Sequence, residues 1–96
     1  MATLEERIYE GNRAKECLEN EAFIWAFEGI EQELTEAWRT SPARDAEGRE
    51  KIYLSLQLLT KLKATITHSM ETGKLADLEL QHRKTLADRA KEILRF

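Results

Sequence analysis

Apolar residues recur at spacings of three and four along nearly the whole chain. That is the period of a helix with one buried face. Thr3-Leu4-Glu5-Glu6 reads as a capping box, with the Thr3 hydroxyl placed to accept from the third helical N–H and Glu6 placed to reach back. It predicts a first helix over about 4–18 with a thin stripe of Leu4, Ile8, Gly11, Ala14 and Leu18, weakened in its middle by Gly11. Asn20 is the N-cap expected for a second helix over about 21–40. Its stripe is Phe23, Phe27, Ile30, Leu34, Ala37 and Trp38, widened by Ala22, Trp25, Ala26 and Gly29. The opposite side is acidic, with Glu21, Glu28, Glu31, Glu33 and Glu36 and no base before Arg39.

Thr40-Ser41-Pro42 ends this helix, because a residue before proline is pushed out of the α region. A third helix can start at Ser41 with Pro42 in the first position, or at Asp45; the charges around Gly48 favour Asp45 as the N-cap. Ile52, Leu56, Leu59, Leu62 or Lys63, Ile66 and Met70 hold its seam, with Tyr53, Leu54 and Leu58 partly off it. Thr72-Gly73-Lys74 is expected to stop it, Gly73 serving as a left-handed C-cap. A last helix is predicted over about 75–94, with Leu75, Leu78, His82, Leu86, Ala90 and Ile93 on one face. No stretch alternates strictly, so no strand is expected.

The expected fold is therefore all-α. It is a small single-domain helical bundle over 1–96, built on a long antiparallel hairpin of about 21–40 and 45–72 with flanking N- and C-terminal helices. Helix two is apolar over a wider arc than one neighbour covers, and helix three carries two apolar faces. That surplus predicts a homo-oligomer, unless the first and last helices fold back and cover it.

Composition narrows the class. Fifteen Lys and Arg against 18 Asp and Glu give a net charge of −3. No window approaches the roughly 20 apolar residues of a membrane span, and the acidic start is unlike a secretory leader. Cys17 is a single cysteine, so no disulfide framework is expected. A pI near 5.5 disfavours extended nucleic acid. His68 and His82 stand alone on their helices, so neither a metal nor another cofactor is expected. No Walker loop, dinucleotide fingerprint or nucleophile elbow is present, and no enzyme is expected.

The stretch 38–53 is the densest in recognition groups. Arg39, Arg44, Arg49 and Lys51 surround a predicted helix N-terminus, where free N–H groups already favour an anion. Arginine suits a two-pronged contact to phosphate, Ser41 and Thr40 offer hydroxyls, and Trp38 and Tyr53 could stack on a base. Arg39, Ser41, Arg44, Arg49, Lys51, Trp38 and Tyr53 are the candidate site for a phosphate-bearing small ligand such as a nucleotide. The plainer reading is a solvated turn in which Asp45, Glu47 and Glu50 pair with Arg44, Arg49 and Lys51, with Trp38 in the core.

Trp38, Ser41-Pro42, Arg44-Asp45, Glu47-Gly48-Arg49-Glu50, Tyr53 and the later Glu71-Thr72-Gly73-Lys74 resemble a family of small helical proteins of tailed bacteriophages. The resemblance covers about 38–76 and brings no catalytic residue. It implies a viral product in the host bacterial cytoplasm or in the virion. Three roles follow as expectations. One is capture of a nucleotide messenger of host immunity, as an anti-defence sponge. Another is assembly or packaging in the phage head against a capsid partner. The third is direct inhibition of a host protein.

Overall fold

The structure, a computed structural model, describes residues 2–94. The described chain is all-α and consists of α1 (Leu4–Glu19), α2 (Glu21–Thr40) and α3 (Ala46–Leu94). The helices start where local chemistry directs. The Thr3 hydroxyl accepts from the Glu6 N–H at 3.1 Å, the Asn20 side chain from the Phe23 N–H at 2.9 Å, and the Asp45 carboxylate from the Gly48 N–H at 3.1 Å. Asn20 has two roles. Its extended backbone (ψ 121°) ends α1, its own N–H bonds back to the Cys17 carbonyl, and its side chain caps α2. One residue thus joins the two helices.

α2 and α3 form the predicted antiparallel hairpin. Trp38 lies against Arg49 near the turn, and farther along the Lys63 ammonium sits 5.3 Å from the Phe27 ring centre. α1 packs against the second half of α3. The result is a thin rod of 80 × 25 × 16 Å.

The expected break at Gly73 does not occur. α3 runs unbroken through it for 49 residues, so the third and last predicted helices are one helix of about 73 Å. No residue, glycine included, has a positive φ among the described residues, so Gly73 is no left-handed cap. It is buried in the contact with α1, where a Cβ on Gly73 would stand 2.7 Å from the Gly11 Cα and 2.8 Å from the Arg7 carbonyl oxygen. Gly11, which weakened the first helix as a sequence, is the matching half of that contact.

The face of the last segment also differs from expectation. Gly73, Ala76 and Leu80 turn inward, while Leu75, Leu78, His82, Leu86 and Ile93 are exposed. Beyond residue 80 every described residue is exposed, so α3 overhangs its partners by about four turns. The half-buried seam of the first half does follow Ile52, Leu56, Leu59, Ile66 and Met70, with Leu62 left 47% exposed.

The core is small. Only Ala14, Phe27 and Ala76 are buried among apolar side chains of the described residues, and no large side chain is fully enclosed. The chain exposes 8016 Å². A compact monomer of 11.2 kDa would expose about 5,700 Å².

Candidate functional site at the hairpin turn

The turn is built by α2 ending and α3 beginning within five residues. Ser41 leaves the helix in an extended conformation (ψ 138°), and its N–H bonds to the Trp38 carbonyl at 3.3 Å. The Asp45 N–H bonds to the Pro42 carbonyl at 3.0 Å and closes the turn. Asp45 then caps α3.

Arg49, one turn into α3, reaches back across this junction. Its Nη1 donates to the Ser41 hydroxyl at 2.7 Å, to the Ser41 carbonyl at 3.3 Å and to the Trp38 carbonyl at 3.4 Å. The Ser41 hydroxyl in turn donates to the Trp38 carbonyl at 2.7 Å. The guanidinium carbon lies 3.9 Å from the Trp38 ring centre. A cation is thus set on the carbonyls at the end of α2, where the helix dipole is negative, and its flat face covers the indole. Three of the seven candidate residues, Trp38, Ser41 and Arg49, are joined in one clasp that holds the hairpin closed.

The other four lie around it on the surface. Arg39 pairs with Glu36 at 3.5 Å and Lys51 with Glu47 at 3.6 Å, all four side chains well exposed. Such pairs contribute little and open readily. Arg44 sits exposed on the turn with no ion pair among the described residues. Tyr53 is 52% exposed. The anticipated pairing of Asp45 with a neighbouring arginine is replaced by its capping bond to Gly48.

Two grooves of the hairpin lie largely away from these residues. An open groove of about 590 Å³ along the hairpin is lined by Phe27, Glu31, Lys63, His68 and Glu71 among others, and none of the seven candidates borders it. Arg39 alone of the seven borders a second groove, beside Glu31 and Glu36, whose charge is wrong for an anion. On α1, Arg13 is held above its usual range by hydrogen bonds to the Tyr9 hydroxyl and to Glu16. Among the described residues no group of three or more His, Cys, Asp or Glu is gathered to hold a metal ion. No described helix is long and apolar enough to cross a membrane.

The clasp was not legible as such from the residues, although a signal for it existed. A cation nine residues past the end of α2, just inside the next helix, is placed to meet the carbonyls at that end. No family model, curated protein or solved structure matches the chain.

Proposed function

We propose that the protein is a non-enzymatic assembly protein that works by docking its exposed apolar helix surfaces on other chains, its own copies among them. The observation that carries this reading is the surface excess: 8016 Å² exposed by a chain whose compact form would show about 5,700 Å². The exposed groups include Trp25, Leu54, Leu58, Leu75, Leu78, Leu86 and Ile93, each more than half exposed. A standard interface hides only about 800 Å² per partner, so the surplus is enough for more than one contact. Apolar surface of this extent on a small protein marks an interaction site.

The resemblance to small phage proteins fits the same role, as a head-assembly or packaging accessory. Capture of a phosphate-bearing ligand has less behind it. Arg49 and Ser41 spend their hydrogen bonds on the α2 terminus and on each other, and Trp38 has one face under the guanidinium. Arg44, Lys51 and Tyr53 are left on the surface, and the groove that Arg39 borders is shared with Glu31 and Glu36. Light scattering after size exclusion, across a concentration series, tests the reading. The expected result is a closed oligomer in the micromolar range. A monomer that binds no particle protein would overturn it.

A further inference from the structure

The proposed assembly role does not say which surface meets which. Two features of the rod fit one another. The first is the overhang of α3, residues 81–94, every one of them exposed. A helix end without tertiary packing rests on intrinsic propensity alone. Yet this end carries Leu86 and Ile93 at 51% and 71% exposure, in line with Leu75 and Leu78 on the same stripe. Arg83 lies beside that stripe and Arg89 on it, and the segment holds four bases against two acids.

The second is one flank of the α2–α3 hairpin. Helical phase places Ala26, Ile30 and Ala37 of α2 on the same side of the hairpin as Leu58 and Leu62 of α3. This is the side away from the groove lined by Phe27, Glu31, Thr60 and Glu71. All five residues are exposed. Glu33 borders the flank on α2, a helix with five acids and no base up to Trp38. The α2 side of the flank is apolar and acidic, its α3 side carries Lys51 (paired with Glu47) and Lys61, and the overhang is apolar with an excess of bases.

We infer that the occupant of this flank is residues 81–94 of a second copy, with the exchange made reciprocally. The numbering supports the geometry. A two-fold axis at Thr72 runs the two α3 helices antiparallel and levels Leu86 of one copy with Leu58 of the other. The same axis levels His82 with Leu62 and Ala90 with Leu54. Each overhang then becomes a third helix on the other copy's hairpin, and the four-residue steps 54, 58, 62 and 82, 86, 90 coincide. Burying one overhang per copy removes area of the order that a stable dimer needs, about 800 Å² per partner.

The inference rests on the assembly reading, and one set of variants separates the two. In a Cys17→Ser background, the chain carrying Leu58→Cys and Leu86→Cys should oxidise to a covalent dimer, while Tyr53→Cys with Leu86→Cys should not. Leu86→Asp, at a position already exposed in the single chain, should weaken the dimer about tenfold or more with helix content unchanged. Glu33→Lys and Arg89→Glu should each weaken it, and the two together should recover part of the loss. An oligomer that survives Leu86→Asp and fails to link through 58 and 86 overturns this docking and leaves the assembly reading standing. A chain that stays monomeric throughout overturns both.

Discussion

A Cβ added to Gly11 would stand 2.7 Å from the Cα of Gly73, and one added to Gly73 would stand the same distance from the Cα of Gly11. The two glycines set how closely α1 can approach α3. The obstacle on each side is backbone, which cannot swing away. Ala14 and Ala76, both buried, extend the same small-residue contact.

Gly73→Ala should therefore destabilise the chain, although alanine is the better helix former. The propensity gain is about 1 kcal/mol, against an overpacking cost of about 1–3 kcal/mol and the loss of neighbouring contacts as the helices part. Gly29→Ala is the control, since nothing lies within 4 Å of its added Cβ. It should stabilise by roughly 0.5–1 kcal/mol. Urea unfolding of both variants checks the opposite signs.

Arg49→Lys should loosen the hairpin by about 1–2 kcal/mol. The ammonium keeps the charge at the end of α2 but loses the flat stacking on Trp38 and the fan of bonds to Ser41 and the Trp38 carbonyl. Trp38 fluorescence should report a more solvated indole. A variant with unchanged unfolding and emission would contradict the clasp.

Asn20→Ala should cost more than the ordinary ~1 kcal/mol of a lost N-cap. The same residue terminates α1, so its loss also frees the junction to run on as one helix. Amide exchange at Phe23, whose N–H bonds to the Asn20 side chain, should quicken in the variant.

Linear and cyclic nucleotides should leave the melting point of the purified protein where it is, because the clasp occupies Arg49, Ser41 and one face of Trp38. A ligand at a hundredfold excess over its Kd would add about 2.7 kcal/mol and move the midpoint by several degrees. Such a shift, abolished by Arg44→Ala, would restore the capture reading.

Local chemistry was readable before the structure wherever it acts within a turn of helix. Thr3, Asn20 and Asp45 cap where their side chains indicate, since a cap is a contact between residues three apart. The helical period and the stop at Ser41-Pro42 belong to the same class. Gly73 could not be read this way. A glycine after a long apolar seam is a stop signal in isolation, and its other use, a close approach between backbones, depends on Gly11, 62 residues earlier. The stripe Leu75, Leu78, Leu86 and Ile93 is as regular as a buried one, and periodicity alone does not say whether anything covers it. Likewise the four cations around the turn look alike in sequence, and only the fold turns Arg49 inward onto the end of α2. The helices and their caps were determined by neighbours along the chain. Whether Gly73 ends its helix, which arginine binds inward and which apolar face stays open were decided by contacts between distant segments.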